Sequence, residues 1–354
     1  MPRPPGRQVA VEVHDKASGP RAAPRADRIA RSHRLPGTRM ASSRIGTMLR
    51  FGVISAYPRE DWHSQQIVEA CAARGSVEVH APTAFSIRTG FKGAVILATQ
   101  RDVREWDVWL TPRALGEQGD HEFQCMVYSA ISELGIPVVN PVSALLDALD
   151  KARCSWLLAR AGIPTPSTIA VQSLEEAEMV LRELRVAVAK PIYGSLGKGV
   201  VRLTRWDRSV RASLQSQLRQ HGLVYLQRFV RTLGRQRDLR LFVVGGRVVG
   251  AIERLGVKGE FRTNIHQGAN ARPYQPSAVL SELAVRATET VGLEYAGVDV
   301  IEAESAGPVV IEVNGTPQWQ GILRATGSNM AEEIVGHAAW LARNRTRNRR
   351  RKNG

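Results

Sequence analysis

Apolar and polar positions along this chain fall into blocks whose period switches repeatedly between that of a strand and that of a helix. Residues 49–55, Leu-Arg-Phe-Gly-Val-Ile-Ser, make the short apolar run of a buried strand, and the spacing beyond it predicts a helix over 64–73. A second strand is predicted over 107–110, then a helix over 123–134 ended by Gly135, then a strand over 136–140. Strand–helix–strand alternation predicts a small parallel α/β domain over 48–141. A helical stretch follows over 143–161, closed by Gly162 and the Ile-Pro-Thr-Pro run at 163–166. The segment 142–222 continues with a helix over 175–184 and a strand over 186–191. From 223 to 342 the pattern is strand-rich, and 239–244 and 247–252 are joined by Gly245-Gly246, a hairpin signal.

The segments 296–301 and 310–314 carry the most chemistry. Val and Ile alternate through both, and Gly307-Pro308 marks the turn region between them. Strand side chains alternate between faces, so Glu312 and Asn314 share one face. An unpaired carboxylate among such apolar neighbours would be costly to bury. With Asp299 opposite on the partner strand, three oxygen-bearing side chains converge without a Cys or His. That set suits a hard cation such as Mg²⁺, bound together with substrate phosphates. A cradle for phosphates is offered by 190–200, Lys-Pro-Ile-Tyr-Gly-Ser-Leu-Gly-Lys-Gly-Val, where Gly194, Ser195, Gly197 and Gly199 let backbone N–H groups approach an anion. The loop has neither Walker A spacing nor the helix that follows a Rossmann fingerprint. A loop that merely turns a hairpin is the competing reading.

Composition changes this picture mainly through charge. The net charge of +16 sits at the ends: residues 1–48 carry ten Lys or Arg against three Asp or Glu, and 341–354 carry seven against none. The remaining core is nearly balanced, so basicity does not mark a nucleic-acid-binding face on the fold; only weak electrostatics of the tails would serve that purpose. Residues 1–47, rich in Pro, Ala and Arg, are predicted to be a disordered leader, and 343–354 a disordered basic tail. The leader has no apolar h-region; it reads either as a transit peptide or as sequence ahead of a start at Met48. No run of about 18 apolar residues predicts a membrane span. Cys71, Cys125 and Cys154 lack disulfide or zinc spacing and point to a reduced, cytoplasmic setting.

Six elements in order carry a resemblance: Lys190-Pro191 with its glycine loop, Gln227-Arg228-Phe229-Val230, Asp238-Leu239-Arg240, the 261–268 run Phe-Arg-Thr-Asn-Ile-His-Gln-Gly, Gly297-Val298-Asp299-Val300 and Glu312-Val313-Asn314. Over 49–342 the chain resembles the ATP-grasp carboxylate–amine ligases, in the branch of RimK, a ribosomal-protein glutamate ligase. The resemblance implies an α/β (α+β) ATP-grasp fold: an N-terminal parallel α/β domain, then two subdomains, 142–222 with the glycine-rich flap and 223–342 with the metal site, holding ATP between them. Lys151 and Lys190 look like the lysines that touch ATP phosphates; an ordinary surface lysine is the competing reading of Lys151. Gln227 to Val230 resembles the segment whose backbone meets adenine, with Arg228 where relatives usually have Glu. Asp238 looks like the residue near the ribose. Arg262 and Asn264 look like catalytic groups at the phosphates and the reacting carboxylate. Asp299, Glu312 and Asn314 match the metal ligands, implying two Mg²⁺ ions, with Mn²⁺ a substitute. Arg240 and Arg254 either orient the acceptor or pair with sheet carboxylates.

The implied reaction is ATP-dependent amide formation. A carboxylate attacks the γ-phosphate to give an acyl phosphate, and the amine of L-glutamate displaces phosphate. The run 315–327 after the metal ligands, with Trp319, resembles ligases that add glutamate to pterin or deazaflavin coenzymes. Trp319 either stacks on a pterin ring or packs in the core. The expected partners are ATP, L-glutamate and a carboxylate acceptor, with a homo-oligomer as an open alternative. A ribosomal-protein-type ligase acting on an acidic C-terminus, and a non-catalytic nucleic-acid-binding protein, are the rival readings.

Overall fold

The computed structural model describes residues 48–91, 93–115, 118–194, 199–232, 236–256 and 270–352. The expected leader 1–47 lies outside them, as do Ser195, Gly197, Arg262 and Asn264.

The apolar run at the start becomes β1 (Leu49–Ser55), followed by α1 (Trp62–Ala72) and β2 (Gly75–His80). Next come β3 (Phe85–Gly90), β4 (Gly93–Ala98), β5 (Arg101–Asp102), β6 (Val108–Arg113), α2 (His121–Glu133) and β7 (Val138–Val139). Strands β2-β1-β6-β7, in that order, form a parallel sheet, as the alternation predicts. A small antiparallel sheet of β3, β4 and β5 is inserted before β6 and was not foreseen.

The helical stretch expected over 143–161 is two helices, α3 (Val142–Leu149) and α4 (Lys151–Arg160). Asp150 breaks it: its backbone is extended and its carboxylate accepts from the N–H groups of Ala152 and Arg153. The cap makes Lys151 the first residue of α4.

A second sheet, order β10-β9-β11-β8, comprises β8 (Thr168–Val171), β9 (Ala187–Lys190), β10 (Val201–Leu203) and β11 (Val224–Arg228). Helices α5 (Leu174–Leu184) and α6 (Arg208–His221) cover it, with Leu181, Leu184, Leu214 and Leu226 in its core. The glycine loop therefore joins antiparallel β9 and β10.

The last sheet is antiparallel, order β14-β13-β12-β15-β16. It is built from β12 (Arg237–Val244), β13 (Arg247–Leu255), β14 (Asn270–Pro273), β15 (Tyr295–Ala303) and β16 (Gly307–Asn314). Helix α7 (Ala278–Val291) packs under one face, sharing a core of Leu241, Leu283, Val298 and Val313 with Cys154 of α4. After α8 (Gln320–Thr326), helix α9 (Met330–Lys352) buries Met330, Ile334 and Ala338 between the first and last sheets, against Phe51, Val108 and Phe242. The disordered tail expected from 343 is instead the continuation of α9 to Lys352. Among the described residues no helix is long and apolar enough to cross a membrane.

Candidate functional site

Register decides the site. Asp299 on β15 pairs directly with Glu312 on β16, and Gly297 with Asn314, so the two carboxylates and the carboxamide expected to converge do share one face of the last sheet. The ladder shifts after Asp299, with Val300 opposite Val310, which leaves Ile311 as the extra residue of a bulge next to Glu312. At Gly297 a Cβ would meet Pro317 Cβ at 2.8 Å, so glycine lets the chain leaving β16 fold back over the strand.

Two strands farther in, the same face continues. Arg240 on β12 pairs with Asp299, and Asp238 on β12 with Arg254 on β13. Arg240 donates to both oxygens of Asp299, at 2.7 and 2.8 Å, and Arg254 to both oxygens of Asp238 at 2.6 Å. Arg254 also reaches Asp299 at 3.0 Å. Two arginines and two aspartates thus form a neutral, buried quartet. Burial alone would raise the Asp299 pKa, but the charges of Arg240 and Arg254 outweigh it and hold the carboxyl at about 2. Of the two roles open to these arginines, the structure has them pairing with sheet carboxylates. Asp238, expected near the ribose, has both oxygens engaged by Arg254.

The lysines come from the other sheet. Lys190, at the end of β9, donates to Gln227 Oε1 at 2.7 Å, and buried Gln227 donates in turn to Thr168 Oγ1 at 3.2 Å and Tyr225 Oη at 3.3 Å. Burial lowers the Lys190 pKa; Glu312 acts to raise it and Lys151 lowers it further, so all three charges share one space. Lys151 donates to the Gly194 carbonyl at 2.9 Å and lies 3.7 Å from Glu312 Oε1. It therefore ties the glycine loop to β16, a position unlike that of an ordinary surface lysine. Gly199 has φ +70°, and a Cβ there would meet Pro191 at 2.8 Å. In the expected adenine segment, the Arg228 and Phe229 N–H groups bond to Ser167 and Val186, and Arg202 lies 4.4 Å over the Phe229 ring.

The arrangement fits a divalent cation carried by a polyphosphate. Its donors are oxygens alone, and each carboxylate already holds a cationic group: Arg240 and Arg254 at Asp299, Lys151 at Glu312. Asn314 Nδ2 donates to Gly297 O at 3.5 Å, leaving the amide oxygen outside that bond. Trp319, by contrast, is only 2% exposed and packs against His63, Trp62 and Phe242. It belongs to the core, its Nε1–H buried with no acceptor among the described residues.

One residue of the site was missed. Asn140, after β7 and fully buried, donates to Tyr295 O at 2.9 Å and Gly315 O at 2.7 Å, and accepts from the N–H groups of Glu294 at 2.8 Å and Tyr295 at 3.0 Å. It clamps the entry to β15 and the exit from β16. The only local signal is an Asn before Pro141 at a strand end, which looks like any turn.

Residues 148–338 match the model of the RimK-like ATP-grasp domain. A tetrahydromethanopterin:alpha-L-glutamate ligase of Methanosarcina acetivorans is 32% identical over 330 residues, covering 81% of this chain and 98% of that protein. A protein of the same name from Methanococcus maripaludis is 35% identical over 227 residues, covering 63% of this chain and 75% of its own length. Among solved structures, the ATP-grasp ligase PsnB complexed with a minimal precursor superposes with a TM-score of 0.65 at 18% identity, over 83% of this chain and 99% of that one.

Proposed function

The chain belongs to the RimK-like ATP-grasp family and is an ATP-dependent amide-forming ligase, and on that premise we propose that it joins L-glutamate to a carboxylate of a pterin-type coenzyme through an acyl phosphate. The observation that carries the ATP half is the Asp299–Glu312 cross-strand pair with Lys151 and Lys190 beside it. The acceptor half is supported by similarity along nearly the whole length of a tetrahydromethanopterin:alpha-L-glutamate ligase.

In this reading Lys190, held by Gln227, and Lys151, held by the flap carbonyl, neutralise phosphate oxygens. Asp299, Glu312 and Asn314 would hold Mg²⁺, which disperses charge as the γ-phosphoryl group leaves. Arg262 and Asn264, outside the described residues, are assigned to the acyl phosphate by resemblance alone. The acceptor carboxylate attacks the γ-phosphate and ADP departs; the amine of L-glutamate then attacks the acyl carbon, phosphate leaves and an amide remains. No protein nucleophile is required, so the side chains act by position and charge.

The test is ADP release with L-glutamate and three acceptors: tetrahydromethanopterin, a deazaflavin coenzyme and an acidic peptide. Turnover with the pterin supports the reading. Turnover with the peptide alone would instead favour a protein-modifying ligase, and salt-sensitive RNA binding without any ADP release a binding protein.

A further inference from the structure

The first sheet has a reversal of strand order away from the groups assigned to ATP. Its order is β2-β1-β6-β7, all parallel. From β1 the chain crosses to β2 on one side, and the later strand β6 lies on the other, so the direction of winding reverses between β1 and β6. In open parallel sheets, ligands bind outside the carboxyl ends of the strands at such a reversal.

Ser55 and Arg113, the last residues of these two strands, are register partners. Arg113 donates from Nε to Asp61 Oδ1 at 3.3 Å. Asp61 caps α1 and is fixed in turn by the Ser64 N–H and hydroxyl, both at 2.8 Å. The Asp61 side chain is 10% exposed and that of Arg113 45%. The stem of the arginine is therefore anchored, while its two Nη groups have no hydrogen-bond partner among the described residues. An anchored guanidinium with a free fork is a receptor for a planar oxyanion.

These strand ends also abut the segment leaving the last sheet. Next to Asp61, His63 accepts at Nε2 from the Trp319 N–H at 3.4 Å, and Trp319 lies five residues beyond Asn314. The charges of Arg113 and Asp61 are both felt by Tyr295, at the start of the strand that carries Asp299.

We propose that the carboxyl ends of β1 and β6 form the acceptor subsite, with the Arg113 fork binding an anionic group of the acceptor, a carboxylate or a phosphate. This deepens the proposed function and rests on it. Arg113 is then a specificity residue, distinct from the groups that handle ATP.

The experiment compares wild type, Arg113→Gln and Arg113→Lys in steady-state ADP release, using whichever of tetrahydromethanopterin, the deazaflavin and the acidic peptide drives wild-type turnover. Acceptor KM should rise about tenfold or more in Arg113→Gln, as expected for losing a charge-assisted pair. Arg113→Lys should recover part of that loss, and KM for ATP and the thermal midpoint should stay within twofold and about 2 °C of wild type. Repeating the titration with acceptor analogues that keep the reacting carboxylate but lack the phosphate or another carboxylate identifies the anion: the analogue lacking it should show the same KM with wild type and Arg113→Gln. Unchanged acceptor KM in Arg113→Gln overturns the inference and leaves the ligase reading standing. Turnover with a non-pterin acceptor alone overturns the pterin reading, and the Arg113 comparison is then made on that acceptor. No ADP release with any of the three overturns both.

Discussion

Lys190 stands at the end of its strand already held: its ammonium donates to Gln227 Oε1 at 2.7 Å, and Gln227 is itself fixed by Thr168 and Tyr225. A lysine keeps several rotatable bonds, so a bound amide that preselects its position lowers the cost of meeting a phosphate. Gln227→Leu should therefore raise KM for ATP by about tenfold, the scale of one charge-assisted hydrogen bond. Lys190→Ala should raise it further. Direct titration with a non-hydrolysable ATP analogue checks the order; equal affinity in all three proteins would place the phosphates elsewhere.

Glu312 has a third of its side chain exposed, while Asp299 is buried with two arginines on it. Glu312→Gln should thus lower turnover by about 100-fold or more with little change in thermal midpoint. Manganese binding in the presence of an ATP analogue, followed by electron paramagnetic resonance, should weaken in parallel. Normal turnover in this variant would rule out metal ligation at Glu312.

Asn140→Ala removes one side chain and strands four buried backbone groups. A loss of about 3 kcal/mol or more is expected in urea unfolding. The affinity for ATP and metal should fall as well, since the clamp sets both ends of the hairpin that bears Asp299 and Glu312. A variant as stable as wild type would show that the clamp carries no strain of assembly.

Trp319 separates packing from substrate stacking. Trp319→Ala should cost about 3–5 kcal/mol by opening a large cavity between α9 and the last sheet. Trp319→Phe, which discards a buried donor with no partner among the described residues, should cost about 1 kcal/mol and leave acceptor KM unchanged. A large rise in acceptor KM for the phenylalanine variant would restore the stacking role.

Acid should probe the Asp61 cap. Burial acts to raise the Asp61 pKa, but His63 at 3.6 Å, the hydrogen bonds from Ser64 and the charge of Arg113 prevail and hold it well below 3.8. A depressed carboxyl contributes stability that is fully present above 3.8 and is lost as pH falls through the lower folded value. Asp61→Ala should therefore be destabilised by about 0.5–2 kcal/mol at pH 7. The gap should narrow by pH 3, as read from denaturant midpoints at the two values.

The acidic hairpin was legible because Asp299, Glu312 and Asn314 interrupt strong Val and Ile alternation, and alternation fixes which side chains share a face. The flap and its lysine were legible for a similar reason, being a glycine cluster between two β runs. Asn140 was not, because its partners lie some 155 to 175 positions away and are backbone atoms, which leave no mark on composition. The insert from Phe85 to Asp102 was hidden by exposed Arg, Thr and Gly on β3 and β4. The break at Asp150 was masked by apolar spacing that runs through both α3 and α4. At the C-terminus a run of arginines looked incapable of order on its own, yet α9 is nucleated by its buried first half and simply extends.

Because Asn140 grips only main-chain atoms of residues 294, 295 and 315, the joint is blind to the side chains at Glu294 and Tyr295. Side chains on either side of the clamp can change as long as the backbone at 294, 295 and 315 keeps its path. An exchange of the whole first domain between relatives would need to preserve this asparagine together with the apolar surface of Phe51 and Val108 that packs on α9.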